Sequence, residues 1–179
     1  RTSYSSSNLI VDNSGGRINY DQWSFIDFDR SEVFNFYLEG GGQLAFSGSS
    51  TNTGGYYLVY DLGAGTDELY NDGEWHLLGV TFSVSNQEIK FYADGVLKKT
   101  HTANGAMTAL GSGTKSKRYG FIAEGSDATS ENGNKGSGGY TGDIAALMFY
   151  DSVALTDAEI ETVFRLQADR FGLIPPPSP

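Results

Sequence analysis

The segment Glu88–Thr102 restricts the fold more than any other part of the chain, because it has the pattern of a β-hairpin. Ile89, Phe91 and Ala93 alternate with more polar residues, and the pair Asp94-Gly95 follows. This pair supplies the two positive φ angles that a type I′ turn requires. We therefore predict two antiparallel strands joined at Asp94-Gly95, which favours an all-β fold.

Short segments of the same character recur along the whole chain between glycine-rich turns. Glycine accounts for 24 of the 179 residues, and it suits turns because it adopts positive φ without steric cost. Short strands at this spacing are typical of a sandwich or a barrel. The predicted strands are Asn8–Val11, Gln22–Phe28, Val33–Leu38, Gln43–Ser47, Tyr56–Asp61, Trp75–Ser83, Glu88–Ala93, Val96–Thr102, Arg118–Ala123 and Asp143–Tyr150.

Two of these strands carry information about their surroundings. Leu78, Val80 and Phe82 fall on one face of their strand, which predicts burial of that face. The segment Asp143–Tyr150 is apolar on both faces. A strand of that kind is expected to be central in its sheet and covered on both sides.

The chain has one predicted helix, close to its C-terminal end. Thr156 is placed to be the N-cap and Glu159, three residues later, completes a capping box, with Leu155 and Ile160 placed for a hydrophobic staple. Gly172 suits the position just after the helix. The apolar stripe of this helix, which we expect to pack on an edge of the sandwich, consists of Ile160, Val163, Phe164 and Phe171.

Charge and composition exclude several classes of function. The chain has 22 acidic and 12 basic residues, a formal net charge of −10, so it repels phosphate backbones and nucleic acid is not an expected partner. Cysteine is absent, which excludes disulfides and thiolate chemistry. The longest apolar run, Ile144–Tyr150, is too short to span a bilayer, so membrane insertion is not expected.

Two motifs resemble a known family. The segment Asp72-Gly73-Glu74-Trp75-His76, followed by a strand and by Ile89–Leu97, is similar to the laminin-G-like signature DG-x-WH … Y-x-DG. Tyr140–Asp151 resembles the last strand of that family, and Ala154–Ile160 resembles its closing helix. The resemblance extends over roughly residues 20–172. It implies a concanavalin A-like fold: an antiparallel two-sheet β-sandwich of the jelly-roll type with one C-terminal α-helix.

The resemblance also implies a domain organisation. Residues 1–174 correspond to one laminin-G-like domain, and Pro175–Pro179 has the composition of the start of a proline-rich linker. Members of the family usually carry strands before a segment like Arg1-Thr2, so we expect the first strand or strands to be missing here. We therefore expect this segment to belong to a larger multidomain chain or assembly, at an extracellular or cell-surface location.

For function, the resemblance implies non-catalytic recognition of a glycan or an extracellular matrix protein through loops at one rim. Aromatic rings that flank turns can stack on sugar faces or anchor a protein partner. The candidate ligand-binding residues are Tyr20, Trp23, Tyr56, Tyr57 and Tyr140. An alternative is a structural assembly domain of an extracellular polymer or surface appendage, which the proline tail and an incomplete sheet edge favour.

A glycosidase is a further alternative, carried by Asp27, Asp29 and Glu32. Glycosidases on related jelly rolls place a run of the form E-x-D-x-x-E on one strand, and retaining chemistry requires two carboxyls about 5–5.5 Å apart. Here the first residue is the shorter Asp, and Arg30-Ser31 stands where an apolar pair is usual. These departures favour a binding role over an enzymatic one.

Calcium is the only cofactor that the sequence suggests. The loop Glu124–Asn134 is rich in oxygen ligands, of which calcium requires about six to eight. The candidate metal ligands are Asp127, Glu131, Asn132 and Asp143. The loop lacks EF-hand spacing, so a solvated loop without metal is the alternative interpretation. The two histidines, His76 and His101, lie too far apart in sequence to suggest a zinc site or a catalytic triad.

Overall fold

The computed structural model describes residues 23–28, 33–39, 42–50, 56–61, 68–102, 108–111, 118–127, 134–136 and 139–173. For residues 23, 49–50, 56–61, 127 and 134–136 the description is limited to the backbone. The predicted strand Asn8–Val11 and the proline-rich tail lie outside the described residues.

A five-stranded antiparallel sheet forms one layer of the fold. Its strands are β1 (Trp23–Asp27), β2 (Phe34–Leu38), β3 (Leu44–Ser50), β4 (Tyr56–Asp61) and β8 (Phe121–Ile122), in the spatial order β4-β3-β2-β1-β8. The first four predicted strands within the described residues are thus confirmed. The predicted strand Arg118–Ala123 is shorter than expected, because only its two central residues pair with β1.

A three-stranded antiparallel sheet forms the opposite layer, with β5 (Leu78–Ser83), β6 (Glu88–Ala93) and β7 (Val96–Thr102) in sequence order. Asp94 and Gly95, at the turn between β6 and β7, have φ angles of 52° and 80°. Two successive positive φ angles are the requirement of a type I′ turn, and the predicted hairpin is confirmed.

A two-stranded ribbon, β9 (Gly125–Asp127) with β10 (Asn134–Gly136), lies within the segment that we interpreted as an oxygen-rich loop. Its strands are only three residues long. Segments this short, rich in Gly, Ser and Asn, carry too little alternation for a strand to be recognised in the sequence.

The single helix of the described residues, α1 (Asp157–Phe171), agrees with its prediction at both ends. Thr156 accepts a hydrogen bond from the Glu159 amide while the Glu159 carboxylate accepts one from the Thr156 amide, which is a complete capping box. Gly172 ends the helix with φ 67°. Phe164 is fully buried, and a Cβ added at Gly95 would lie 2.9 Å from it. The helix therefore packs closely on the turn of the β6–β7 hairpin.

The core lies between the two sheets and is built from the inward face of each strand. The five-stranded sheet contributes Leu38, Leu44 and Phe46, and the three-stranded sheet contributes Ile89, Phe91 and Ala93. The predicted inward face of β5 is confirmed, since Leu78, Val80 and Phe82 pack against this cluster. Phe46 and Phe82 meet across the layers with ring centroids 6.2 Å apart.

The prediction of a central, doubly covered strand at Asp143–Tyr150 is wrong. These residues form no strand and pair with neither sheet within the described part of the chain, and residues 145–150 are exposed. The apolar side chains instead cover the margin of the core: Phe149 packs on Phe34 with ring centroids 5.8 Å apart, and Ile144 lines the cleft between the sheets. Some apolar side chains of this segment thus pack on the edge of the core, and others are exposed to solvent.

Within the described residues, no helix combines the length and the apolar character that crossing a membrane would need.

Candidate functional site

The five-stranded sheet has one face that packs on the core and an opposite face that carries polar residues. In β2, Phe34, Phe36 and Leu38 belong to or pack against the core. Side chains alternate along a strand, so Asn35 and Tyr37 point to the opposite face. Both are almost completely buried, with exposed fractions of 1% and 0%.

The strand register extends this polar row across three strands. Asn35 pairs with Asp27 of β1 on one side and with Ser47 of β3 on the other, and Tyr37 pairs with Ser24 of β1. Residues that pair directly across antiparallel strands share a face. We call the set Ser24, Asp27, Asn35, Tyr37 and Ser47 the polar face.

A bulge in β1 makes this arrangement possible. Ser24 and Asp27 are three residues apart, so regular alternation would place them on opposite faces. The register of β1 against β2 shifts between Ser24 and Ile26, which inserts one extra residue and returns Asp27 to the face of Ser24. Phe25, at the bulge, packs against the core instead.

The polar face is buried, yet its hydrogen bonding is incomplete. Within the described part of the chain, Ser24 Oγ, Asn35 Oδ1 and Ser47 Oγ are buried atoms without a hydrogen-bond partner. A buried polar atom left in this state costs about 1–3 kcal/mol of folding free energy. Native proteins contain few such groups, so three on neighbouring strands identify a place where the fold gives up stability.

The ribbon β9–β10 approaches the β1 end of the polar face. The Ser126 amide donates to Asp27 Oδ2 at 3.1 Å, and the Ser126 hydroxyl donates to the Tyr119 carbonyl at 2.5 Å. Gly139 forms an isolated bridge with Ser24 on the same strand. The first of these contacts holds one oxygen of the Asp27 carboxylate in place, and together they bring the ribbon and Gly139 to the β1 side of the polar face.

A second polar cluster surrounds His76 and has a structural role. Its Nδ1 lies 2.8 Å from Asp94 Oδ2 and its Nε2 lies 3.1 Å from Asp72 Oδ1, while the Leu77 amide donates to the other oxygen of Asp94. The hydrogen bond with Asp94 raises the pKa of His76, against the effect of burial. The two halves of the laminin-G-like signature are therefore joined into one hydrogen-bonded unit at the hairpin turn.

A third polar cluster lies on the outer face of the three-stranded sheet, against the start of α1. The Tyr92 hydroxyl donates to Asp157 at 2.9 Å, and Lys90 forms an ion pair with the same carboxylate at 3.1 Å. Burial, together with the bond to Asp157, raises the pKa of Tyr92 to about 12. Lys90 and Asp157 line a groove of about 380 Å³. Each of these three side chains has a partner, as expected of a structural contact.

The structure places the predicted ligand-binding aromatics on separate elements. Trp23 is in β1, whereas Tyr56 and Tyr57 are in β4, which two other strands separate from β1, and Tyr20 lies outside the described residues. Tyr140 is partly buried and its ring packs on Phe25 at 5.1 Å, beside a cavity of about 110 Å³ between the sheets. Burial raises the pKa of Tyr140. A role for these five residues in ligand binding stays a prediction.

The predicted metal ligands are not brought together within the described residues. Asp127 ends β9 and Asp143 is exposed in the segment before α1, whereas Glu131 and Asn132 lie outside the described residues. Among the described residues, no group of three or more acidic, histidine or cysteine side chains has the geometry to hold a metal ion. Calcium binding stays a prediction.

Sequence reasoning singled out Asp27 but missed the rest of the polar face. The sequence pattern groups Asp27 with Asp29 and Glu32 in the alternative glycosidase interpretation, and those two residues lie outside the described part of the chain. The sequence signal for the polar face is an alternation in β2 and β3, where core residues alternate with Asn35, Tyr37 and Ser47. That alternation predicts a second face but not its burial, which depends on what packs over it.

Comparison with known families supports the fold. The model of the Laminin_G_3 family, described as the concanavalin A-like lectin/glucanases superfamily, matches residues 16–161. The match extends over most of the chain, and the protein belongs to this family. No curated protein is similar enough in sequence to count as a relative.

Solved structures share the architecture at low sequence identity. The CBM40 domain of the Ruminococcus gnavus IT-sialidase, solved bound to α2,6 sialyllactose, has 14% identity and a TM-score of 0.50, over 82% of this chain and 76% of that one. The same domain bound to α2,3 sialyllactose has 12% identity and a TM-score of 0.46, over 90% and 78%. At 14% identity, the likeness to the first of these structures shows the fold alone, a β-sandwich.

Proposed function

We propose that this domain is a non-catalytic glycan-binding module, and that it binds sugar on the polar face rather than through rim loops. The observation that carries the proposal is the set of three buried, unpartnered atoms at Ser24, Asn35 and Ser47. The family membership and the CBM40 domains, whose structures hold sialyllactose, support it.

The chemistry of the polar face matches that of a sugar. Each sugar hydroxyl both donates and accepts a hydrogen bond, as serine hydroxyls and the asparagine amide do. The acceptors at Asn35 and Ser47 lie on adjacent, directly paired strands. Neighbouring strands are about 4.8 Å apart, so adjacent groups of one sugar ring can engage both. A ligand hydroxyl would recover the free energy that these atoms lose when they are buried.

The low exposure of the polar face sets a condition on binding. Ser24 and Asn35 are each 1% exposed, so a sugar can reach them only when the cover moves. On the β1 side, the ribbon β9–β10 is attached through hydrogen bonds of Ser126 to Asp27 and to the Tyr119 carbonyl. We expect ligand binding to displace this attachment, which makes association slower than for an open groove.

A second candidate function is assembly with another protein at the cell surface or in an extracellular polymer. It is supported by exposed apolar side chains in the segment before α1, which are Leu147, Met148, Phe149, Tyr150 and Val153. Exposed apolar residues that adjoin one another are often protein-binding surfaces. This function and the glycan-binding one use different parts of the domain, so one chain can carry both.

The experiment that tests glycan binding pairs an array with matched variants. The chain is applied to an immobilised glycan array with and without calcium, and the strongest glycan is then titrated against Asn35→Ala and Asn86→Ala. Asn35 is in the polar face, whereas Asn86 is exposed in the turn after β5. We expect Asn35→Ala to weaken binding at least about tenfold, the ratio that corresponds to 1.4 kcal/mol, and Asn86→Ala to leave it unchanged.

Two outcomes would contradict the proposal. If no glycan on the array binds, the domain is not a glycan-binding module of the kind proposed. If a glycan binds equally well to the wild type and to Asn35→Ala, sugar recognition lies elsewhere and the rim aromatics become the first residues to test. The calcium arm of the array decides whether the metal contributes to binding.

A further inference from the structure

We infer that the polar face binds two adjacent sugar units of a glycan, one above Asn35 and Ser47 and the other beside Ser24. This inference rests on the proposed function, which it extends by naming the length of the ligand and the role of each hydroxyl. It follows from the positions that strand register gives to Ser24 Oγ, Asn35 Oδ1 and Ser47 Oγ, the buried atoms without a partner within the described residues.

Two rows of residues cross the polar face at right angles to its strands. Asn35 of β2 pairs with Ser47 of β3, and these two residues belong to the first row. Ser24 of β1 pairs with Tyr37 of β2, and these two belong to the second row. Tyr37 is two residues beyond Asn35 in β2, so the rows are about 7 Å apart.

The first row can hold a single sugar ring. Asn35 Oδ1 accepts hydrogen bonds and donates none, whereas the Ser47 hydroxyl can do both. The two residues lie on neighbouring strands, about 4.8 Å apart. Hydroxyls on adjacent carbons of one ring can therefore bond to both side chains.

Ser24 lies beyond the reach of that ring. It is two strands and one row away from Ser47, a distance of about 12 Å. Side chains stand roughly perpendicular to a sheet, so a sugar lying on the face bonds to them mainly from above, and its hydrogen bonds add little reach along the sheet. A second sugar unit is therefore needed to reach the Ser24 hydroxyl.

The second row is less polar than the first. Besides Ser24 it contains Tyr37 and Ala45 of β3, which pairs with Tyr37 and is 0% exposed. An aromatic ring can pack on the apolar face of a sugar. We expect the second sugar unit to make its hydrogen bond with Ser24 and otherwise to pack on the Tyr37 ring and the Ala45 methyl group.

The test is a length series on the wild-type chain. The strongest glycan of the array is compared with its monosaccharide, disaccharide and trisaccharide fragments by NMR titration. We expect the disaccharide to bind at least about tenfold more tightly than the monosaccharide, and the trisaccharide to bind within about threefold of the disaccharide. Equal binding of the first two, or a second gain of the same size at the trisaccharide, would overturn the inference and leave the glycan-binding function intact. Absence of binding to every glycan on the array would instead overturn the function itself.

Matched serine variants assign the two rows. Ser24→Ala and Ser47→Ala each remove one buried hydroxyl that has no partner within the described residues, so neither should impair folding. Each should weaken disaccharide binding about three- to tenfold, whereas only Ser47→Ala should weaken monosaccharide binding. The control is Ser85→Ala, in the exposed turn after β5, which should leave both affinities unchanged.

The double variant Ser24→Ala/Ser47→Ala provides an independent check. Positions more than about 10 Å apart that contact different groups act independently, so the two losses in disaccharide affinity should multiply. If the double variant loses clearly less than the product, one sugar ring contacts both hydroxyls and the inference fails. It fails equally if Ser24→Ala leaves disaccharide binding unchanged.

Discussion

The two sheets of this domain both carry polar residues on the face opposite the core, but they treat them differently. On the three-stranded sheet, Tyr92 and Lys90 are both bonded to Asp157 at the start of α1. On the five-stranded sheet, Ser24, Asn35 and Ser47 have buried atoms without partners within the described residues. One sheet uses its polar groups to attach a helix, whereas the other leaves these three atoms without a partner among the described residues.

This difference separates a structural surface from a candidate binding surface. A buried polar group with a partner adds about 1 kcal/mol to stability, whereas one without a partner subtracts more than that. Places where a fold accepts such a loss are often functional sites. Both outer faces are polar, so the two differ in whether their polar groups have hydrogen-bond partners.

The largest expected effect concerns the side that the helix covers. Phe164 is fully buried against the hairpin turn at Gly95, so Phe164→Ala should lower the free energy of unfolding by about 3–5 kcal/mol. Leu166, on the same helix, is 74% exposed, and Leu166→Ala is the matched control, with an expected change below about 0.5 kcal/mol. Urea unfolding of the two variants measures both values.

If Phe164→Ala costs no more than Leu166→Ala, the helix is not an integral part of the domain. The outer face of the three-stranded sheet would then be open to solvent, and its polar groups could not be interpreted as helix attachments. The three-stranded sheet would then no longer be an example of a polar face with a structural role.

A smaller effect is expected from the pH dependence of the His76 cluster. The bond to Asp94 raises the pKa of His76, so the folded state favours the protonated imidazole. The resulting stability is fully present below the unfolded pKa of about 6.5 and is lost as the pH rises through the folded pKa. Burial lowers the pKa of His101, which gives that residue the opposite slope.

Unfolding midpoints measured across this range for the wild type, His76→Gln and His101→Gln check the two signs. We expect His76→Gln to remove a decrease in stability between slightly acidic and slightly alkaline pH. His101→Gln should steepen the same decrease, because it removes a contribution of opposite sign. Superimposable pH profiles for the three proteins would show that His76 is not held by Asp72 and Asp94 in solution.

The sequence predicted best the elements that local chemistry determines. The hairpin at Asp94-Gly95 and the capping box at Thr156 depend on residues adjacent in sequence, and both agree with the structure. The prediction of a central strand at Asp143–Tyr150 is wrong because the apolar pattern of this segment is compatible with two environments. Pattern alone does not distinguish a central strand from a chain that packs along the flank of a core.

The candidate site was harder to predict than the fold because its members are not adjacent in sequence. Asp27, Asn35 and Ser47 meet only through strand register, and the register of β1 depends on a bulge. Their burial depends further on what covers the sheet. The aromatic residues predicted from the sequence are candidates because their rings can stack on sugars. The polar face is instead recognised by buried atoms that lack a hydrogen-bond partner, which only the structure reveals.

The smallest expected effect tests the contrast between the two sheets most directly, by removing one hydroxyl from each. Tyr92→Phe deletes a hydroxyl that donates to Asp157 and should destabilise the domain by about 1 kcal/mol. Ser47→Ala deletes a buried hydroxyl without a partner within the described residues, so it should leave the domain equally stable or up to about 1 kcal/mol more stable. Thermal and urea unfolding of the two variants give the signs. If Ser47→Ala destabilises the domain as much as Tyr92→Phe does, the Ser47 hydroxyl is satisfied in solution, and the polar face is a structural layer. If it stabilises the domain while weakening sugar binding, the same atom is shown to reduce stability and to serve recognition, which is the combination expected of a binding site.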